Sequence, residues 1–177
     1  MATVATAPVP HLPIGRGRPG GVVAGLGVAP WLPSDTPVAW FRGDPALAHD
    51  ADTQVIARTV RSGVDAGVPV VGVLGQAGVA PQTGLDPLCG WGAVARELTA
   101  ASGQVPIVLV VAGPFLGGPA LLLGLADVVV MTAEARAFVN APASVARITG
   151  SAVLDAELIG GSWVHATRTG VADVVVD

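Results

Sequence analysis

The chain has 177 residues, 51% of them hydrophobic and 12% charged, with a net charge of −4; this excludes disorder throughout and suffices for one domain with a full core. All nine basic residues are arginines spread along the chain, so there is no basic stripe for nucleic acid. Lysine and tyrosine are absent, which excludes a Schiff-base lysine, a P-loop lysine and a tyrosine acid from any mechanism. The single cysteine, Cys89, forbids an intramolecular disulfide and points to a reducing compartment. No secretory signal is read, so the cytoplasm is the expected location. No metal site is expected.

In chain order, residues 1 to 20 are rich in proline, glycine and alanine without periodicity. They read as a mobile arm, and residues 21 to 177 as the folded domain. Gly21 to Val28 is expected to be a first strand and Thr36 to Phe41 a second. Asp50 to Asp65 reads as a helix, because Val55, Ile56, Val60 and Val64 fall at helical spacing and Asp50 and Asp52 suit its first turn. After Gly67 and Pro69, Val70 to Leu74 reads as a buried strand. A glycine-rich loop follows, and then a helix from Leu88 to Ala101.

Residues 105 to 131 form the longest apolar run. Pro114, paired glycines and Asp127 within it argue against a membrane span. Ile107 to Val111 instead reads as a strand buried on both faces. Gly113-Pro114 breaks that strand, Leu116-Gly117-Gly118 opens a short helix, and Asp127 to Met131 is a further strand. Beyond it, Ala137 to Val139 reads as a short strand. Pro142 to Ile148 and Leu154 to Ile159 read as short helices, and Val171 to Val176 as a final apolar segment. Strands alternating with helices indicate α/β with mostly parallel pairing.

Two strands are each followed by a glycine turn and a helix: Val70–Leu74 with Gly75–Gly84, and Ile107–Val111 with Gly113–Gly118. If the strands are parallel neighbours, both turns emerge at one sheet edge. Backbone N–H groups there could hold the oxyanion of a thioester enolate or a tetrahedral intermediate without any catalytic side chain. The plain alternative is that both loops only turn the chain.

Several segments in fixed order resemble one family. They are Gly21-Val22-Val23-Ala24-Gly25-Leu26-Gly27, Gln76 to Gly84, Gly113-Pro114-Phe115-Leu116-Gly117-Gly118 and Asp127 to Met131. Phe138-Val139-Asn140-Ala141-Pro142, Ile148-Thr149-Gly150, Leu158-Ile159-Gly160-Gly161 with His165, and Gly170-Val171-Ala172-Asp173 complete the set. From about Gly21 onward the chain is similar to the N-terminal half of acyl-CoA carboxylase carboxyltransferase subunits, which belong to the crotonase superfamily. The resemblance implies an α/β crotonase-like (ClpP/crotonase) fold of repeated ββα units that binds an acyl-CoA or acyl carrier protein thioester. It implies oxyanion donors at Gly78-Val79 and Gly117-Gly118, with Gln76, Ala77, Gly113 and Phe115 at the substrate. The implied chemistry is transfer of a carboxyl group between biotin and an acyl α-carbon, or decarboxylation. Biotin would sit on a partner protein, with no cofactor bound covalently to this chain. A homo-oligomer, or a hetero-oligomer with a subunit resembling the C-terminal half, is expected.

The family's Ser-Gly-Gly-Ala-Arg is here Gln76-Ala77-Gly78-Val79-Ala80, and its Cys-Ala before the second glycine pair is Phe115-Leu116. These departures keep open a non-catalytic binding or assembly subunit, and a crotonase-type enzyme of other chemistry. His165 is expected to form structural hydrogen bonds rather than act as a base. His11 and His49 are read as surface residues, Cys89 as buried packing, Asp86 either as a residue at the mouth of the first loop or as a turn or helix-start residue, Asp127 as a turn residue and Arg168 as a surface charge. Trp91 and Trp163 are read as core or interface.

Overall fold

A computed structural model of the chain describes residues 12–16, 21–29, 35–43, 50–75, 86–151 and 154–177. The β-branched runs become a seven-stranded sheet in the order β1-β2-β3-β4-β5-β7-β9. Its strands are β1 (Leu12–Arg16), β2 (Val23–Gly27), β3 (Val38–Gly43), β4 (Val70–Leu74), β5 (Ile107–Val111), β7 (Val128–Thr132) and β9 (Val174–Val176). Pairing is antiparallel from β1 to β3 and parallel from β3 to β9. A second, two-stranded parallel sheet joins β6 (Pro114–Leu116) to β8 (Arg136–Phe138). Helices α1 (Asp50–Ala66) and α2 (Asp86–Ala101) pack against each other, and α3 (Gly118–Leu122) and α4 (Pro142–Thr149) follow β6 and β8. The units β5-β6-α3 and β7-β8-α4 are therefore two successive ββα repeats, each contributing one strand to each sheet.

Strand periodicity divides the core. Ala39, Phe41, Val70, Leu74, Ile107, Leu109, Val111, Val129 and Met131 face the helices in the main cluster. Val38, Trp40 and Val71, with Val108 against them, form a smaller cluster on the other face, as two-residue alternation requires. Burial of β5 is accordingly one-sided: Ile107, Leu109 and Val111 are buried while Val108 and Val110 are only partly so. Asp52 does more than suit a helix start. Its buried Oδ1 accepts the Val22 N–H at 3.0 Å and ties α1 to the strand entry.

Three expectations change. Leu12–Arg16, inside the expected arm, pairs with β2 as an edge strand; the rest of that segment, residues 1–11 and 17–20, lies outside the described residues. Pro114–Leu116 is strand rather than the entry to a helix. Its missing proline N–H is tolerated at a strand's first residue, and α3 starts only after Gly117. Helix α2 begins at Asp86, two residues before the expected start. No helix among the described residues is long and apolar enough to cross a membrane.

Candidate functional site

Strands β4 and β5 are parallel neighbours in the register Leu74 to Val111, and the Ala112 N–H donates to the Leu74 carbonyl at 2.9 Å. The two glycine turns therefore leave the sheet at the same edge. The first turn carries Gln76, Ala77, Gly78 and Val79, which lie outside the described residues. It enters α2 at Asp86, and five residues later Trp91 meets the second turn: a β-carbon built on Gly118 would lie 3.4 Å from the Trp91 Cβ. The loop thus feeds a helix whose second turn supports Gly118.

In the second turn, one amide is committed. Gly117 sits at φ 79°, ψ −133°, a conformation that favours glycine, and its N–H donates to the Phe138 carbonyl at 2.8 Å. Gly117 is therefore not a ligand donor; its amide completes the pairing of β6 with β8. Pro119 has no N–H, and the Ala120 N–H turns back to the Gly117 carbonyl at 3.1 Å. That leaves Gly118, whose N–H bonds none of the described residues. The expected pair of donors reduces to one.

Gly113 is buried at the end of β5. The Phe115 ring is 1% exposed and faces inward with Trp91, Leu98, Leu109 and Pro119. As a substrate contact Phe115 has only its backbone to offer, and its bulk fills the core.

The segment after α4 grips β8 along its length. It contains α5 (Ala156–Gly160), α6 (Ser162–Val164) and a five-residue π turn, His165–Thr169; such turns are rare and concentrate at functional sites. Ser162 Oγ donates to the Ala133 carbonyl at 2.9 Å and the Ser162 N–H to the Ala135 carbonyl at 3.1 Å. Gly161 bridges Arg136, and Arg136 pairs with Glu157. His165 Nε2 lies 3.0 Å from the Ala137 carbonyl and Nδ1 2.9 Å from Thr169 Oγ1. A carbonyl only accepts, so Nε2 carries hydrogen and donates. These are the structural bonds expected of His165.

Other singled-out residues fall elsewhere. Cys89, expected as buried packing, is exposed on the first turn of α2. Arg168 lies 5.4 Å from the Trp163 ring centre, and that ring is 58% exposed. Glu97 is held by a two-pronged bond from Arg61, Nη2 to Oε1 at 2.6 Å and Nε to Oε2 at 3.1 Å, which links α1 to α2. Among the described residues no group of three or more His, Cys, Asp or Glu side chains is placed to hold a metal.

Residues 37–177 match the family described as the carboxyl transferase domain. The chain belongs to that family. This carboxyl transferase domain is 34% identical over 118 residues to the methylmalonyl-CoA decarboxylase subunit alpha of Veillonella parvula, covering 66% of this chain and 23% of that protein. It is 38% identical over 109 residues to the biotin-dependent acetyl-/propionyl-coenzyme A carboxylase beta6 subunit of Mycobacterium tuberculosis, covering 62% of this chain and 23% of the relative. The transcarboxylase 12S structure with methylmalonyl-coenzyme A and methylmalonic acid bound superposes with a TM-score of 0.80 at 27% identity, covering 88% of this chain and 30% of that one. The fold is thus the expected crotonase-like α/β fold. The chain spans about a quarter of the length of the curated relatives it matches.

This carboxyl transferase domain also presents an apolar surface. An open cleft of about 470 Å³ is lined by Ala120, Leu121, Phe138, Val139, Ile159 and His165, among others. Leu121, Val139, Ile148, Leu158 and Trp163 are exposed. Pro119 and Leu122 face the core on the α2 side of α3, so the cleft lies on the opposite side of that helix from Trp91.

Proposed function

We propose that this carboxyl transferase domain binds an acyl thioester, of CoA or of an acyl carrier protein, and stabilises its enolate through backbone amides. The observation that supports the reading is the Gly118 N–H, which bonds none of the described residues and follows the turn that leaves β5 beside the end of β4. Gly118 supplies one donor, and Gly78 and Val79 are the residues assigned to the other. With charge building on the thioester oxygen, the α-carbon gains or loses a carboxyl group. A single such donor typically contributes about 10²–10³-fold in rate. Biotin, where the reaction uses it, arrives on a partner protein as the carboxyl carrier. The exposed apolar surface at Leu121, Val139, Ile148, Leu158 and Trp163 favours a partner, a further copy or a subunit resembling the C-terminal half, that completes the site. The test is turnover of malonyl- or methylmalonyl-thioesters by the full chain with candidate partner chains, with and without a biotinylated carrier. Carboxyl transfer or CO2 release is expected, and no turnover under any combination overturns the reading.

The replacement of the family's Ser-Gly-Gly-Ala-Arg by Gln76-Ala77-Gly78-Val79-Ala80 supports a second reading, a non-catalytic binding or assembly subunit. Thermal-shift titration separates the two: acyl-CoA stabilises the first and leaves the second unchanged.

A further inference from the structure

We infer that His165 is a positioning residue for the Gly118 amide, acting through β8; the inference rests on the proposed oxyanion role of Gly118. Two consecutive carbonyls of β8 point to opposite partners. Ala137 accepts from His165 Nε2 at 3.0 Å, and Phe138 accepts from the Gly117 N–H at 2.8 Å. Successive carbonyls of an extended chain face opposite sides, so β8 is held between the histidine and the glycine turn. Displacing the Ala137 carbonyl displaces the acceptor that fixes Gly117.

Gly117 needs that fixing. Its φ of 79° and ψ of −133° are open only to glycine, the residue with the most conformational freedom to lose. Among the described residues nothing lies within 4 Å of the space a β-carbon would occupy at Gly117, so no side chain presses on Gly117 from that side. The bond to Phe138 holds it, and Gly118 follows directly.

The grip on Ala137 and Phe138 is close-packed from the same segment. A β-carbon at Gly160 would fall 2.5 Å from the Ala137 carbonyl oxygen and would overlap the Phe138 ring. The Ala172 N–H holds the His165 carbonyl at 3.3 Å, and Thr169 Oγ1 meets the Nδ1 side of the ring. The imidazole therefore has one orientation with both nitrogens bonded. Its chemistry toward the ligand is indirect: it orders the amide that faces the thioester oxygen.

Three variants of the full chain test this. His165→Ala removes the donor to Ala137, His165→Gln returns an amide N–H near the Nε2 position, and His165→Asn does not reach it. The first readout is amide hydrogen exchange by NMR. In His165→Ala and His165→Asn, Gly117 is expected to exchange at least tenfold faster relative to the amides of β5, with His165→Gln restoring most of the protection. The second readout is affinity for a nitroalkyl-CoA thioether, whose nitronate mimics an enolate, measured against CoA itself. Alanine and asparagine are expected to lose tenfold or more on the nitronate and nothing on CoA. If Gly117 protection stays tied to that of β5 in every variant, the positioning role is overturned while the oxyanion reading stands. If the wild-type chain binds the nitronate no more tightly than CoA, the oxyanion reading itself fails. Should the alanine variant not fold, the glutamine–asparagine comparison gives the same decision.

Discussion

The Phe138 carbonyl accepts the Gly117 N–H at 2.8 Å, and this bond decides which of two adjacent glycines can face a ligand. Gly117 spends its amide on the small sheet, and Gly118 donates to none of the described residues. The pair is alike in sequence and different in duty.

Substitution separates the two positions. Gly117→Ala forces a side chain into a left-handed conformation with empty space around it, so its cost is conformational, about 1–3 kcal/mol. Gly118→Ala places its methyl at ordinary contact distance, 3.4 Å, from Trp91, and should change stability by less than about 1 kcal/mol. Urea unfolding of both variants measures this; equal losses would contradict the assignment.

Two aspartates perform one structural task in succession. Asp127 donates its N–H to the Ile107 carbonyl and accepts the Ile107 N–H on Oδ2, at 2.9 and 2.8 Å. Asp173 repeats both bonds with Val129 at the same distances. Each closes the start of a parallel strand pair whose inner residue, Ile107 or Val129, is buried. Replacing either aspartate by alanine should cost about 1–2 kcal/mol by leaving a part-buried amide without its acceptor. The double variant should lose nearly the sum, as read by chemical denaturation.

Acid stability should report on Glu97. The hydrogen bonds from Arg61 hold its carboxyl below the ordinary value of 4.5, against the opposing effect of its burial. A depressed folded-state value means the stabilisation is fully present above pH 4.5 and is lost as pH falls through the lower folded value. Wild type should therefore lose stability more steeply than Glu97→Gln below about pH 4.5, and the Gln variant should be the less stable of the two at neutral pH. Urea midpoints from pH 7 to pH 3 test both statements. A Gln variant with the same acid limb as wild type would contradict them.

Cys89 should behave as a surface thiol. It is exposed on α2, so iodoacetamide should label it stoichiometrically in the native protein, with denaturant revealing no further thiol. Mass spectrometry before and after denaturation settles the point, and protection of the native thiol would contradict the exposure.

Much of the frame was legible because it is written in local periodicity. Val70–Leu74 and Ile107–Val111 appear where β-branched runs end in glycine, and α1 runs one residue beyond its expected limit, from Asp50 to Ala66. The ordered glycine motifs carried the family and the crotonase-like fold, and the matched residues 37–177 agree. The short elements were harder. Leu12–Arg16 owes its strand to a partner, β2, and its own proline and glycine argue against one. Pro114–Leu116 is a strand because Arg136–Phe138 lies beside it, twenty-two residues further along the chain.

By itself the sequence determined the alternation of strands and helices, the place of both glycine turns and the family to which they belong, since those follow from residue type and spacing within a few turns of chain. Only the tertiary structure decided what each group is free to do. Phe115 turns into the core, Cys89 turns out, His165 grips β8, and Gly117 loses its amide to Phe138 while that of Gly118 bonds none of the described residues. The reason is physical. A hydrogen bond or a buried face is settled by the neighbour, and these neighbours lie far away in sequence.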